Sequence, residues 1–189
     1  MAQRRHHYEQ AFEGYLRAHR VPYVAVDEAK KALLPAMQTG PEGSLKSFDF
    51  VIYGQGTNLL VEVKGRKAGR ARRGGGSRLE SWVTLDDLTS LQRWEVLFGP
   101  EFQAVFVFVY WYERQPADAL FQEVFESRGR WYALRSVRVG DYASAMKVRS
   151  PKWRTVDIPP ARFERVSVPF AAGPGGLPGL AVPALERLA

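Results

Sequence analysis

The sequence of 189 residues predicts a mixed α/β (α+β) fold, in which a central mixed β-sheet is flanked by helices. Three observations support this prediction. A helical pattern at Arg4–Arg20 is followed by two short apolar strands, at Phe48–Tyr53 and Leu59–Lys64. A second helical pattern, at Leu85–Phe98, precedes the strand Gln103–Tyr112, which β-branched and aromatic residues dominate. Helices and strands in this order can cover the faces of one sheet.

The first helix has a continuous apolar face. Its members recur at helical spacing, and they are Tyr8, Ala11, Phe12, Tyr15 and Leu16. Glu9 lies at the edge of that face, and Glu13 lies one turn further along, closer to solvent. After this helix we expect a short strand at Tyr23–Val26, a helix at Ala29–Met37 and a loop over residues 39–44.

The two strands that follow form a hairpin, which brings charged residues together. With Gln55 and Gly56 as a two-residue turn, Asp49 lies directly opposite Glu62. Side chains alternate along a strand, so Glu62 and Lys64 share one face, and the register adds Asp49 to it. Two carboxylates that face each other across a strand pair repel. A shared cation, a neighbouring lysine or a raised pKa would offset this repulsion.

A divalent cation suits these two carboxylates best. Magnesium takes oxygen ligands, and its shell commonly combines one or two carboxylates with waters and phosphate oxygens. Lys64 would then lie within reach of the attacking water or the phosphate. There it would help to deprotonate the nucleophile or stabilise the charge of the transition state. The residues therefore indicate phosphodiester hydrolysis, with Mg²⁺ or Mn²⁺ as the cofactor.

The helix at Leu85–Phe98 has clear start and stop signals. Thr84 can cap it, acidic residues follow in its first turn, and Gly99 lies just past its end. Gln92 and Glu95 share the inward arc of this helix with apolar side chains, which is unusual for polar residues.

The second half of the chain alternates short strands with turns. The expected strands are Leu120–Glu126, Trp131–Val139 and Thr155–Ile158. A short helix capped by Asp141 lies between the last two. After residue 170 the sequence becomes rich in glycine and proline, as in a linker. We therefore assign residues 1–170 to one domain and residues 171–189 to a C-terminal tail.

The positive charge of the chain is concentrated in one segment. The net charge is +7, and residues 64–78 contain seven Lys or Arg and no acid, so this segment accounts for the whole surplus. Its glycines and charges predict a loop that begins where the second hairpin strand ends. Such a loop favours a polyanionic partner, although a solvated loop is the simpler alternative. The expected phosphate contacts are Arg66, Lys67, Arg70, Arg72 and Arg73.

A second basic segment, Lys147–Thr155, places Trp153 among four basic residues. An exposed tryptophan there would suit stacking on unpaired bases. The alternative, which we prefer from the sequence, is a core tryptophan framed by surface charges.

Composition excludes several classes of protein. The chain has no cysteine, which rules out disulfides and thiolate metal sites and fits a reducing compartment. The N-terminal residues lack the apolar core of a signal peptide, and the longest apolar run is about half as long as a membrane-spanning helix requires. We expect a cytoplasmic protein with no membrane partner.

The acids and the lysine of the hairpin resemble those of the PD-(D/E)XK nuclease superfamily, which has a restriction-endonuclease-like core. In that core a helix precedes a hairpin that carries an aspartate and an E-x-K motif, and another helix follows. The matching residues here are Asp49 and then Glu62-Val63-Lys64. Phe48 stands where the family name has a proline, which members of the superfamily often lack.

Residues outside the hairpin extend this resemblance. Archaeal Holliday-junction resolvases belong to the superfamily, and on their first helix a glutamate precedes a leucine by two turns. Glu9 and Leu16 reproduce that spacing, with Glu13 as the reserve. Many members also carry a glutamine on the helix after E-x-K, where this chain has Gln92.

The resemblance implies a metal-dependent nuclease, with DNA preferred to RNA as its substrate. Its implied roles are metal binding by Asp49, Glu62 and the Val63 carbonyl, action on the water or phosphate by Lys64, support by Glu9 and orientation by Gln92. A homodimer would suit the cutting of two strands. One alternative is a nucleic-acid-binding module on the same fold that has lost catalysis. Another is a scaffold whose basic loop recruits an acidic protein.

Overall fold

The computed structural model describes residues 3–26, 39–40, 43–54, 56–68, 79–116 and 124–170. The helices are α1 (Gln3–Ala18), α2 (Leu85–Phe98), α3 (Val139–Ala145) and α4 (Pro160–Val166). The first strands are β1 (Tyr23–Ala25), β2 (Thr39–Gly40), β3 (Gly43–Ser44), β4 (Phe50–Ile52), β5 (Asn58–Lys67) and β6 (Val83–Thr84). The later strands are β7 (Phe102–Tyr112), β8 (Val124–Ser127), β9 (Arg130–Arg138), β10 (Lys147–Ser150), β11 (Thr155–Asp157) and β12 (Val168–Pro169).

A mixed sheet of seven strands forms the centre of the described structure. Its order is β1-β4-β5-β7-β9-β12, and β8 also pairs with β9. Strands β5 and β7 run parallel, from Asn58 beside Phe102 to Lys67 beside Trp111, whereas the other pairs are antiparallel. The predicted mixed sheet with flanking helices is therefore confirmed.

The two faces of the sheet carry separate apolar cores. Phe12 and Leu16 of α1 pack on one face, with Val61 among their neighbours in that core. Leu88 and Leu91 of α2 pack on the other face, together with residues of α3 and α4. Because neighbouring residues of a strand point to opposite faces, β5 contributes odd-numbered residues to the first core and Leu60 to the second.

A smaller sheet, β10-β11-β6, lies beside the start of α2. Thr155 of β11 pairs with Thr84 of β6, which is also the N-cap of α2. The turn between β10 and β11 carries Trp153, and this side chain is exposed. The preferred expectation of a core tryptophan was therefore wrong, because the hairpin projects its turn into solvent.

Several predicted elements match the structure closely. Helix α2 has the predicted bounds, and Thr84 caps it through a capping box with Asp87. The helix expected to begin at an Asp141 cap instead begins at Val139, directly after β9, so that Asp141 lies within its first turn. Strand β5 continues to Lys67 rather than ending at Lys64, because it pairs with β7 over its whole length.

Some predictions concern parts of the chain outside the described residues. They are the helix at Ala29–Met37, the turn residue Gln55, the loop arginines Arg70, Arg72 and Arg73, the start of the strand Leu120–Glu126, and the tail 171–189. Within the described residues, no helix is both long enough and apolar enough to span a membrane.

Candidate active site

The chain bends at Asp49, immediately before β4. The Asp49 N–H donates to the Val61 carbonyl at 2.8 Å, and the Asp49 carbonyl accepts from the Val26 N–H at 2.8 Å. Its carboxylate accepts a 2.7 Å hydrogen bond from the Val63 N–H. Backbone and side chain are thus both tied to neighbouring strands, which holds the carboxylate at the edge of β5 just past the end of β4.

The hairpin register agrees with the prediction. Phe50 pairs with Val61 as expected, and the Asp49 N–H donates to the carbonyl of the same Val61. Asp49 therefore lies close enough to the next residue, Glu62, for the charge of that acid to raise the pKa of Asp49. The connection is wider than the two-residue turn we expected, because strand pairing stops at Ile52 and Leu59. The strand register is unchanged by this difference, because it depends on which residues pair and not on the shape of the turn.

The backbone of Val63 faces the same edge as Asp49. In a β-strand the N–H and C=O of one residue point to the same side. Because the Val63 N–H donates to the Asp49 carboxylate, the Val63 carbonyl also points to this edge, where β4 has already ended. The Val63 carbonyl therefore points to the side of β5 on which Asp49 lies.

Lys64 lies between two carboxylates, as its ammonium group is 2.7 Å from Glu62 Oε1 and 2.8 Å from Asp87 Oδ2. The side chains of Lys64, Glu62 and Asp87 are only 14%, 16% and 12% exposed. Water screens such pairs less than it screens surface pairs, so this ion-pair network fixes the position of the lysine.

Asp87 is the site residue that the sequence interpretation missed. It is the third residue of α2, where it completes the capping box with Thr84 and also receives Lys46 Nζ at 3.0 Å. A signal for its inward direction was present, because Asp87 precedes the buried Leu91 by one helical turn. An acid in the first turn is also a common start signal of a helix, which by itself indicates no role in a site.

Lys46 links the approach to β4 with α2. Its N–H donates to Ser90 Oγ at 3.1 Å, and its carbonyl accepts from Trp94 Nε1 at 2.8 Å. Its ammonium group reaches Asp87 and Thr84. The residues just before Asp49 are therefore held by the same helix that holds Lys64.

Burial and neighbouring charges shift the pKa values of Asp49, Asp87 and Lys64 in different directions. Burial raises the pKa of Asp49 to about 8, and the charge of Glu62 adds to this effect, while the Val63 hydrogen bond opposes it. Burial also opposes ionisation of Asp87, but the charge and hydrogen bond of Lys64 outweigh it and lower the pKa of Asp87. Burial acts to lower the pKa of Lys64, yet Glu62 and Asp87 hold it above its ordinary value. Lys64 is therefore a stable ammonium ion.

Of the two glutamates considered on α1, Glu9 is the one near the site. Its charge contributes to the raised pKa of Asp49. Glu13 binds elsewhere, since its Oε1 accepts from Arg17 at 2.7 Å and from the Tyr23 hydroxyl at 2.8 Å.

Gln92 lies in α2 as expected and is half-buried. Among the described residues, no hydrogen bond joins its side chain to Asp49, Glu62 or Lys64. The structure thus places Gln92 on the expected helix without a hydrogen bond to these three charged residues. Glu95 has a structural partner, because its Oε1 accepts from the Ala104 N–H at 2.9 Å.

The two basic residues after Lys64 have different surroundings. Arg66 was expected in an open loop but lies half-buried in β5, with its guanidinium 3.9 Å from the centroid of Trp82 and hydrogen bonds to the Gly65 and Trp82 carbonyls. Burial lowers the pKa of Arg66. Lys67 is exposed and pairs with Glu113 at 2.6 Å. Its expected position in a loop was also wrong, since it ends β5.

Few of the described side chains near Lys64 could bind a cation. Within the described ranges, no cluster of three or more His, Cys, Asp or Glu side chains is arranged to hold a metal ion. The described residues do bring together the carboxylates of Asp49 and Glu62, whose charges interact, and the Val63 backbone, which donates to Asp49. This oxygen set fits a cation that keeps part of its water shell, as magnesium does.

Comparisons with known proteins show a distant structural likeness. No protein-family model matches the chain, and no curated protein matches it. The crystal structure of a Holliday junction resolvase from the archaeal hyperthermophile Archaeoglobus fulgidus aligns with a TM-score of 0.47 and 14% identity, over 84% of this chain and 86% of that one.

Proposed function

We propose that this protein is a metal-dependent nuclease of the PD-(D/E)XK type, which hydrolyses phosphodiester bonds of nucleic acid, with DNA preferred to RNA. The observation that carries the proposal is the meeting of Asp49, Glu62 and Lys64 at the end of one hairpin. Buried acids with shifted pKa values next to a fixed lysine are typical of catalytic sites.

In this proposal Asp49, Glu62 and the Val63 carbonyl would hold Mg²⁺ or Mn²⁺. The cation would supply charge stabilisation at the phosphate and activate a water for attack. Asp49 suits the role because its carboxylate is buried beside another acid, so a positive charge relieves both the burial cost and the repulsion. Glu9 would support this cluster from α1 through its charge.

Lys64 would act as a charged donor to the phosphate rather than as a base. Its pKa lies above the ordinary value, so it stays protonated at neutral pH. An ammonium group held by two carboxylates is already positioned, and it does not have to reorganise as charge develops in the transition state. Gln92 would orient the site after substrate binds, since it lies on the helix that holds Asp87.

The basic residues of the chain would provide affinity for nucleic acid. The segment from residue 64 to residue 78 carries the whole net charge of the protein. Contacts of this kind bind phosphates without reading sequence, and they weaken as salt increases.

A cleavage assay with Asp49→Asn tests the proposal. The wild-type protein should cleave DNA only when Mg²⁺ or Mn²⁺ is added, and the variant should lose this activity. The variant should also fold well, because the raised pKa of Asp49 shows that the site favours a neutral group, and the amide oxygen can still accept the Val63 hydrogen bond. Full cleavage by a folded Asp49→Asn variant would exclude the mechanism. Glu13→Gln is the matched control, since Glu13 binds Arg17 and Tyr23 and should not affect cleavage.

The alternative is a nucleic-acid-binding module without catalysis. The observation in its favour is that Lys64 already pairs with Asp87 and Glu62, which leaves the lysine engaged before substrate arrives. A magnesium titration followed by cleavage assays on DNA and RNA separates the two candidates. Binding with a steep salt dependence and no cleavage at any metal concentration would favour the alternative.

A further inference from the structure

The turn between β10 and β11 presents an aromatic side chain to solvent. Trp153 is 71% exposed, and Val148 on the preceding strand is also exposed. The ring packs into neither apolar core, so it contributes little to folding. An exposed tryptophan on a defined turn points to a role in binding.

The turn itself is well ordered by local hydrogen bonds. The Trp153 N–H donates to Ser150 Oγ at 3.3 Å, and the Arg154 N–H donates to the Pro151 carbonyl at 3.2 Å. Arg154 adopts a left-handed backbone conformation, with φ of 46°, which closes the turn. A ring carried on such a turn loses little conformational freedom when it binds a ligand.

The surroundings of Trp153 are positively charged. The residues from 147 to 156 include four basic side chains and no acid. The Lys152 ammonium lies 5.6 Å from the centroid of the Trp153 ring. Arg154 pairs with Asp86, whereas Lys147 and Lys152 make no ion pair with any described residue. An aromatic ring within a basic surface complements a nucleic acid strand, whose bases stack and whose phosphates are negative.

The turn is joined directly to the helix that completes the candidate site. The Leu85 N–H donates to the Arg154 carbonyl at 2.8 Å, and Arg154 pairs with Asp86 at 2.9 Å. The next residue, Asp87, holds Lys64. The turn and the candidate site therefore share the first turn of α2.

A second connection runs through Trp82. The guanidinium of Arg66 on β5 lies 3.9 Å from the Trp82 centroid, and that of Arg149 on β10 lies 5.3 Å from it. Basic side chains thus continue from the end of β5 to the β10–β11 hairpin. An acid also lies at this junction, because Glu80 accepts from Trp82 Nε1, so a nucleic acid strand that contacts both regions would pass beside this carboxylate.

From these observations we infer that Trp153 stacks on an unpaired base of a nucleic acid substrate, while Lys152 contacts an adjacent phosphate. The inference rests on the proposed function and adds a substrate class to it. The substrate would contain unpaired or splayed bases close to the position that is cut, rather than a continuous perfect duplex.

Binding measurements with Trp153→Ala test this inference. Fluorescence anisotropy in EDTA would compare a labelled single strand, a perfect duplex and a duplex that contains an unpaired loop. Loss of one base stack should weaken binding to the single strand and the looped duplex by about 5- to 150-fold. Binding to the perfect duplex should change little. Trp153→Phe, which keeps an aromatic face, should retain most of the preference.

Two further variants separate stacking from charge and from loss of apolar surface. Lys152→Gln should weaken binding to all three nucleic acids alike, because phosphate contacts carry no preference for unpaired bases. Val96→Ala truncates an exposed apolar residue near the other end of α2 and should change nothing. If Trp153→Ala binds all three as wild type does, or loses affinity for all three equally, the inference is wrong.

The test is independent of catalysis because it uses EDTA. A wild-type protein that prefers unpaired bases through Trp153 but never cleaves would overturn the proposed nuclease activity and leave this inference standing. Sedimentation of wild type and Trp153→Ala tests whether a second copy of the chain, rather than nucleic acid, binds this surface. If the substitution converts a dimer into a monomer, the turn is a contact between copies of the chain, and the inference fails.

Discussion

Lys64 and Asp87 meet across the junction of sheet and helix, with 2.8 Å between the lysine Nζ and the aspartate Oδ2. The contact couples the E-x-K strand to the first turn of α2, so the position of the lysine depends on how that helix docks. Asp87 itself is fixed by the capping box with Thr84. We therefore regard Asp87 as a positioning residue for Lys64.

Asp87→Asn should reduce cleavage by about 10- to 100-fold, the range typical of residues that orient a functional group. Asp87 helps to keep the pKa of Lys64 high, so its removal should lower that pKa. The alkaline limb of the pH–rate profile should then move to lower pH. Steady-state kinetics across a pH series would measure both effects.

Thr84→Ala is the control for this prediction. It removes the same helix cap, at a cost of about 1 kcal/mol in stability, but leaves the contact between Asp87 and Lys64 in place. The alkaline limb should stay where it is in wild type. An identical shift in both variants would mean that Asp87 acts only through the stability of α2.

The raised pKa of Asp49 predicts an unusual dependence of stability on pH. The carboxyl ionises near 3.8 when unfolded and near 8 when folded, so the folded state binds the proton more tightly. Its contribution to the free energy of unfolding is fully present below the unfolded pKa and is lost as pH rises from about 4 to about 8. Metal-free wild type should therefore lose stability relative to Asp49→Asn over this range, as measured by denaturant titrations.

Added magnesium should reverse this loss. A cation binds the ionised carboxylate, so the increase in melting temperature on adding Mg²⁺ should be larger at about pH 8.5 than at about pH 5.5. Asp49→Asn should show a much smaller increase at both values. An equal increase in wild type and in the variant would place the metal elsewhere on the chain.

A substitution at Gly65 tests how α1 is positioned against β5. A Cβ atom at residue 65 would lie 2.1 Å from Tyr8 Cδ2, so the ring of Tyr8 packs directly on the backbone of β5. Gly65→Ala should cost about 1 to 3 kcal/mol in the free energy of unfolding, because the ring and the helix must move. Cleavage should fall as well, since Glu9 follows Tyr8 on the helix.

Gly14→Ala, on α1 itself, provides the matched control for Gly65→Ala. Apart from the backbone of α1 itself and the neighbouring residues, no described atom lies within 4 Å of a Cβ built at this position. Alanine should therefore stabilise the protein by about 0.5 to 1 kcal/mol and leave cleavage unchanged. Chemical denaturation measures both variants, and a Gly65→Ala protein as stable as wild type would contradict the tight packing of Tyr8.

The parts of the site that the sequence predicted are those that depend on local periodicity. Glu62 and Lys64 share a face because strands alternate, and Asp49 follows from the hairpin register. The bend at Asp49 was not predictable in this way. It depends on hydrogen bonds to Val61 in β5 and to Val26, the residue that follows β1. Local pattern cannot specify contacts that only the assembled sheet creates.

The sequence interpretation missed Asp87 and placed Trp153 in the core. Both errors arose because tertiary contacts decide where these side chains lie. Asp87 joins the site because α2 docks against β5. Its spacing to Leu91 indicated only an inward direction and did not show which strand it would meet. Trp153 was expected in the core because tryptophan is highly buried on average. Its flanking charges, Lys152 and Arg154, were the better guide to its exposure.

Removal of the charge from Arg66 and from Lys67 should affect stability to different extents. Arg66 lies over Trp82 and donates to two backbone carbonyls, so Arg66→Ala leaves these carbonyls without their donor. Unfolding free energy should fall by about 1 to 3 kcal/mol. Lys67 is exposed, so Lys67→Ala should change stability by less than about 0.5 kcal/mol.

For nucleic acid binding, we expect the larger effect from Lys67→Ala and the smaller effect from Arg66→Ala. Lys67→Ala should weaken binding and reduce the slope of log affinity against log salt by about one, as expected for one lost phosphate contact. Arg66→Ala should alter this slope less, because its guanidinium is committed to Trp82 and the backbone. Denaturation and salt-dependent binding together test the difference. A stable Arg66→Ala variant with a reduced salt slope would mean that Arg66 contacts phosphate after all.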